Sequence, residues 1–182
     1  IYLCDKSFLY FLNSENILTF STDDLFYYSH HTILCRGGYY FVNDYGMQTS
    51  ILSRFGIRNH SVKGRDYIFR NGDEHDYRYE NVCVINKYNG VNKIEKNGRT
   101  FFQSRIHING NYIIGIYKSE NEAAIAYNKV VDILENIQSV SYIKNYIEDM
   151  SYITYASIYN SIKISKKLTE YIEGLKQKRP ES

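Results

Sequence analysis

The chain has 182 residues, 43% hydrophobic and 16% aromatic with 20 Tyr and no Trp, a composition that excludes disorder and suits one sizeable core or two small ones. A formal net charge of +2 excludes an acidic DNA mimic without arguing for nucleic acid by itself. Cys4, Cys35 and Cys83 share no C-x-x-C spacing, so neither a disulfide framework nor a zinc knuckle is expected, and the thiols are read as reduced.

No run approaches the ~18 apolar residues needed to span a bilayer. The opening IYLCDKSFLYFLNS also lacks a basic flank followed by a long apolar stretch and a small-residue cleavage site. A cytoplasmic protein with no membrane partner is the expectation.

Residues 1–65 read as strand-rich. Alternating apolar runs at 7–12, 16–20, 32–35 and 39–43, with Arg36-Gly37-Gly38 between the last two, predict strands of one small antiparallel sheet. Asp23-Asp24 ahead of Leu25, Phe26 and Tyr27 predicts a short helix. His30 and His31 are adjacent, so their rings diverge, and no third ligand is spaced to join them in a metal site. In the following segment, 66–87, His75 with Asp73, Glu74 and Asp76 offers metal-type ligands. A polar turn, in which Asp73 and Asp76 accept from nearby backbone N–H groups, explains the same residues more simply.

Residues 88–137 carry the strongest local signals. Three runs rich in β-branched and aromatic residues, 91–95, 100–108 and 111–117, are separated by Asn97-Gly98 and Asn109-Gly110, dipeptides that favour hairpins. A two-residue turn at Asn109-Gly110 pairs Ile106 with Ile113 and mixes charged and apolar side chains on one face. A three-residue loop, Ile108-Asn109-Gly110 with the glycine in the left-handed region as a bulge, pairs Ile106 with Tyr112 instead. It places Phe102, Ser104, Ile106, Tyr112, Ile114 and Ile116 on one face and Gln103, Arg105, His107, Asn111 and Ile113 on the other. The second register is expected because it separates core from surface. Ser119-x-x-Glu122 is a capping box that starts a helix near Glu120. Its stripe is Ala123, Ala126, Tyr127, Val130, Leu134 and Ile137, and Glu122, Asn128, Lys129, Asp132 and Glu135 cover the opposite side.

Tyr88-x-Gly90-Val91, Phe102-x-Ser104-x-Ile106, Asn109-Gly110, Ile114-Gly115-x-Tyr117 and Glu122-Ala123-Ala124-x-Ala126-Tyr127-Asn128 together resemble the Apetala-type, ethylene-response-factor-like DNA-binding domain. That resemblance implies a three-stranded sheet laid in the major groove of double-stranded DNA with the helix behind it. It implies that Gln103, Arg105, His107, Asn111, Asn92 and Lys93 face bases, and that Lys96, Arg99 and Lys118 lie near phosphates. Arg and Gln offer bidentate contacts to guanine and adenine edges. The chain departs from the family in carrying one clear arginine on this face and Ile113 where a large base-contacting side chain is expected.

Upstream, Gly72-Asp73-Glu74-His75-Asp76-Tyr77-Arg78-Tyr79-Glu80-Asn81-Val82 resembles the core of HNH homing endonucleases, and Leu52-Ser53-Arg54-Phe55 resembles their L-H-R-L stretch. The positions that the family fills with histidine hold Ser53, Ile68 and Phe69. No imidazole remains there to hold a divalent metal or take a proton from water, so loss of nuclease chemistry is expected, with no cofactor.

Residues 138–182 read as Tyr-rich helices over 141–150 and 151–175, expected to pack on the N-terminal sheet, followed by a frayed tail from Lys176 to Ser182. Between Lys87 and Lys118 there are six cations against Glu95 alone, a local balance of +5. Abundant Ile, Asn, Lys and Tyr with a single Pro fit an AT-rich bacterial or phage coding sequence. In length, Tyr content and possession of this module the chain also resembles type II anti-CRISPR proteins. That resemblance implies binding to a type II CRISPR effector nuclease with its guide RNA.

The resulting expectation is an α+β, non-catalytic, double-stranded DNA-binding protein of phage or mobile-element origin that inhibits such an effector. A DNA-binding regulator derived from a homing endonuclease and a divergent metal-dependent nuclease using His75 stay open as alternatives.

Overall fold

Short apolar runs interrupted by glycine and asparagine turns produce many short strands rather than one large sheet. The structure, a computed structural model, describes residues 1–138 and 140–178. Its architecture is α+β, and the chain divides into two units, Ile1–Lys87 and Tyr88–Ser182.

In the first unit β1 (Tyr2–Leu3), β2 (Ser7–Phe11) and β3 (Ile17–Ser21) form an antiparallel meander, and α1 (Leu25–His30) follows. Next come β4 (Ile33–Arg36), β5 (Tyr39–Asp44) and β6 (Met47–Ser50), a second antiparallel sheet. The short strands β7 (Tyr67–Phe69), β8 (Asp76–Tyr77) and β9 (Val82–Val84) complete the unit. β7 pairs with β9, while β8 joins β3 in parallel with Thr19 opposite Asp76. The expected single antiparallel sheet is therefore several small sheets, one of them mixed. They share a core of Phe8, Leu18, Phe20, Tyr28, Val42 and Tyr77, in which the Phe20 ring lies 4.4 Å from Tyr28 and 5.5 Å from Tyr77. Aromatic contacts of this kind let short strands bury enough area without long ladders.

The second unit contains β10 (Val91–Lys96), β11 (Arg99–His107) and β12 (Asn111–Tyr117) in one antiparallel sheet, and α2 (Glu120–Ile137) packs on it. Ile106 faces Tyr112 and His107 faces Asn111, the register expected from a bulged loop. Ser119 and Glu122 form the capping box, the carboxylate accepting from the Ser119 N–H at 3.3 Å. Ala123, Ala124 and Ala126 are fully buried, so the helix backbone approaches the sheet closely. Gly90 is required by the same close approach. Its φ is +70°, and a methyl group there would overlap the Tyr127 ring and the Arg105 carbonyl oxygen.

The expected helix over 141–150 does not form. Asn128, placed by periodicity on the polar side of α2, is instead buried at 3% exposure and binds the backbone of Asn145 with both ends of its amide, at 2.7 and 2.8 Å. The Asn145 amide in turn pairs with the N–H and C=O of Asn89, at 2.7 and 3.0 Å. These four bonds hold the segment extended, where a helix would have needed the same backbone groups.

The expected helix over 151–175 is two helices, α3 (Tyr152–Ser161) and α4 (Lys166–Gln177). The break falls at Ser165, whose N–H and hydroxyl donate to the carbonyls of Ile114 and Ile113, both at 2.7 Å, and so occupy the free edge of β12. The helical Tyr and Ile residues were expected on the N-terminal sheet. They pack within the second unit, with Leu168 and Ile172 against Ile114, Leu134 and their neighbours and with Tyr155, Ile158 and Tyr159 beside Val91 and Ile125. Of the expected frayed tail, α4 includes Lys176 and Gln177, while Arg179 to Ser182 lie outside the described residues.

Candidate nucleic-acid interface

Cross-strand partners project to the same face of a sheet, so the register assigns every side chain of β10 to β12. Val91 faces Ser104, and Lys93 faces Phe102 and then Tyr117. These rows lie on the face that α2 covers. The opposite, outer face carries the rows Asn92–Gln103–Ile116, Ile94–Phe101, Lys96–Arg99, Arg105–Ile113 and His107–Asn111.

Seven of the nine residues expected at a nucleic-acid interface thus share the outer face: Asn92, Lys96, Arg99, Gln103, Arg105, His107 and Asn111. Lys93 does not, because it neighbours Asn92 in an unbroken strand and alternation turns it to the helix side. Lys118 is exposed one residue beyond β12, just before the helix cap, where strand alternation no longer fixes its direction.

Ile116 was expected in the core and instead lies on the outer face, 48% exposed. The cause is a register shift opposite Ser104 and Arg105: Arg105 faces Ile113 while Ser104 faces Gly115, so Ile114 is an extra residue in β12. Ile114 is fully buried, and Ile113 and Ile116 both end on the outer side. The signal was present in Ile114-Gly115, since an isolated glycine inside a strand pattern marks a bulge.

The charges of the face are of one sign. Lys96, Arg99 and Arg105 lie on it without a carboxylate, and Glu95 sits on the helix-side face opposite Thr100, whose hydroxyl donates to it at 2.6 Å. Among the described residues the Lys96, Arg99, Gln103 and Arg105 side chains form no hydrogen bond or ion pair, so their donors are available to a ligand. His107 Nδ1 lies 3.2 Å from Asn111 Oδ1, and the His107 carbonyl accepts from the Tyr142 hydroxyl at 3.1 Å. The Arg105 N–H donates to the Gly90 carbonyl at 2.8 Å, which fixes the strand at the arginine.

In the first unit the segment 66–87 is knotted by its own polar groups. Asp76 accepts from Arg78 Nη2 at 2.6 Å and from Asn71 at 2.8 Å, and Asn81 donates to the Asp76 carbonyl at 2.8 Å. Asp73 and Asp76 accept from the N–H groups of His75 and Arg78, as a polar turn requires. Burial pushes the Asp76 carboxyl up, but the Arg78 and Asn71 hydrogen bonds outweigh it and hold the group below the ordinary carboxylate value.

The candidate metal ligands point elsewhere. Glu74 pairs with Lys63, Asp76 with Arg78, and only Asp73 approaches His75, at 3.7 Å. Among the described residues no group of three potential ligands is gathered. Of the positions that histidine occupies in the resembled family, Phe69 packs against Tyr67 and Tyr77, Ile68 is 38% exposed, and the Ser53 hydroxyl donates to the Ser50 carbonyl at 2.6 Å. His30 and His31 each lie within 2.9 Å of a carbonyl of the preceding helical turn, Phe26 and Tyr27.

No helix among the described residues is long and apolar enough to cross a membrane. Set beside known proteins, the chain matches no family model, no curated protein and no solved structure, so the interface is defined by its own geometry.

Proposed function

We propose that the second unit binds double-stranded DNA through the outer face of β10 to β12, seated in the major groove. The observation that carries this reading is the gathering of Lys96, Arg99 and Arg105 with Asn92 and Gln103 on one face that has no carboxylate. Three strands spaced ~4.8 Å apart span about 10 Å, which suits a groove about 12 Å wide. The resemblance to the Apetala-type module supports the same orientation. In this reading the chain performs no chemistry of its own, since Glu74 is paired with Lys63 and both Asp76 and Glu80 with Arg78.

In this reading the protein comes from a phage or mobile element, works in the cytoplasm of a bacterial host, and inhibits a type II RNA-guided effector nuclease while holding DNA. The resemblance in length and Tyr content to type II anti-CRISPR proteins supports that step.

One set of titrations tests the reading. Arg105→Ala with Gln103→Ala is expected to weaken duplex binding by about 1–3 kcal/mol per lost base contact, and Lys96→Ala with Arg99→Ala to flatten its salt dependence by about one counterion per lost phosphate-proximal charge. Unchanged affinity and slope would overturn the face. In parallel, cleavage by a purified effector loaded with guide RNA is expected to fall when the chain is added. The chain with magnesium and DNA alone is expected to cut nothing, and cutting there would restore the nuclease alternative at His75.

A further inference from the structure

We infer that the outer face reads thymine, with Ile113 and Ile116 packing on the C5-methyl groups of A·T pairs beside the amide row Asn92–Gln103. The inference rests on the DNA-binding reading above and adds the class of base pair selected.

Residues three apart in a regular strand fall on opposite faces. The bulge at Ile114 cancels that alternation, so Ile113 and Ile116, 51% and 48% exposed, stand together on the face that carries the cations. Bulges re-aim side chains in this way at binding surfaces. Each isoleucine has a polar reader directly across the ladder: Gln103 faces Ile116 with Asn92 on its other side, and Arg105 faces Ile113.

Three cations without a carboxylate select a polyanion. In a duplex major groove the apolar group on display is the thymine methyl, and the same base pair presents the adenine N7 and N6 that a side-chain amide binds in bidentate fashion. The Asn92–Gln103–Ile116 row therefore matches one A·T pair, with the amide on adenine and the isoleucine on its thymine. The Arg105–Ile113 row suits a guanine flanked by a thymine. Cross-strand packing of β-branched residues would explain either isoleucine alone. It does not require a bulge that turns both toward the cationic face.

The test uses the full chain and two pools of short duplexes with a randomised centre, one built with thymidine and one with deoxyuridine, which lacks only the methyl group. The thymidine pool is expected to bind about four-fold more tightly per contacted methyl, the value of one buried CH₂-sized group. Its bound fraction is expected to be enriched in A·T pairs. Ile113→Ala with Ile116→Ala is expected to abolish the difference between pools while the salt slope, which the cations set, stays unchanged.

Equal binding of both pools by the unaltered chain would overturn thymine reading and leave DNA binding intact. A preference that survives in the double variant would overturn the role of the isoleucines. Binding to neither pool would overturn the DNA-binding reading and this inference with it.

Discussion

In the second unit β10, β11, β12 and α2 follow one another along the chain and pack in that order, whereas in the first β3 finds its parallel partner only at β8, with Thr19 opposite Asp76. The second unit is closed mainly by a slab of Ala, Val, Leu and Ile between the sheet, α2 and α4, with a single amide knot, Asn89–Asn145–Asn128, tying down the segment after α2. The first is closed by buried polar knots that tie distant segments together. Asp24 at the start of α1 accepts from Arg54 at 2.7 Å and from the Tyr79 hydroxyl at 3.0 Å, and the Arg54 guanidinium lies 4.5 Å above the Tyr27 ring.

Tyrosine use differs in the same sense. In the second unit the hydroxyls of Tyr88, Tyr117, Tyr142, Tyr155 and Tyr159 all have internal partners, so its many tyrosines make polar contacts inside the fold. In the first, the Tyr10 and Tyr79 hydroxyls are partnered too, but the Tyr28 hydroxyl is buried without a partner, and burial followed by the nearby Asp24 charge pushes its pKa well up. Non-local closure carries a loop-closure entropy cost before its contacts form, so the groups that join distant segments of the first unit matter to it more than any one residue of a locally closed face.

The sharpest way to break this comparison is to cut one knot. Arg54→Leu leaves Asp24, 1% exposed, as a buried carboxylate without its guanidinium. Losing one partner of a buried pair costs about 3–5 kcal/mol. Hydrogen-exchange protection is expected to collapse across the first unit while α2 keeps its own. Adding Asp24→Asn removes the stranded charge and is expected to recover part of the loss. Full protection in the single variant would show that the knot is dispensable.

The second unit should yield to a different kind of change. Gly90→Ala puts a side chain in the left-handed region and drives a methyl into Tyr127 and the Arg105 carbonyl. Backbone strain and overpacking together cost about 2–4 kcal/mol. Protection is expected to fall in β11 and α2, and duplex affinity is expected to fall with it because Arg105 is held through its N–H to Gly90. Urea titration followed by exchange checks both effects, and a variant as stable as the parent would exclude the close approach.

What could be read in the sequence follows the same division. The Asn97-Gly98 hairpin, the bulged loop at Gly110 and the Ser119–Glu122 capping box are local devices, and each stands where spacing placed it. The second bulge escaped because Gly115 signals a bulge without telling which of its neighbours will face Ser104. It moved Ile116 to the surface and so changed the content of the candidate interface. Lys93 was misassigned for a simpler reason, since alternation already forbids Asn92 and Lys93 from sharing a face. The segment around Asn145 reads as helix by periodicity, and only the distant amides of Asn128 and Asn89 make it extended. In the first unit even sheet membership was hidden, because β8 is set by hydrogen bonds among Asn71, Asp76 and Asn81 rather than by an apolar run.

Acid should separate the two units more gently than either substitution. Asp66 and Asp76 both belong to the first unit, and their side chains are 4% exposed. Burial pushes the Asp66 carboxyl up, but hydrogen bonds from Arg65, the Val62 N–H and Asn86 outweigh it, so its pKa, like that of Asp76, lies below the ordinary 3.8. A carboxylate with a depressed folded-state pKa contributes stability that is present above its unfolded pKa and lost as pH falls through the folded value. First-unit protection is therefore expected to be flat from neutral pH down to about 4 and to fall steadily below that. The carboxylates release Arg65, Arg78, Asn71 and Asn86 as they take up protons. Asp76→Asn removes one of the two titrating groups and should make the decline shallower while lowering the plateau. A first unit whose protection stays level through this window, or rises on acidification, would show that these carboxylates contribute no net stabilisation in their charged form.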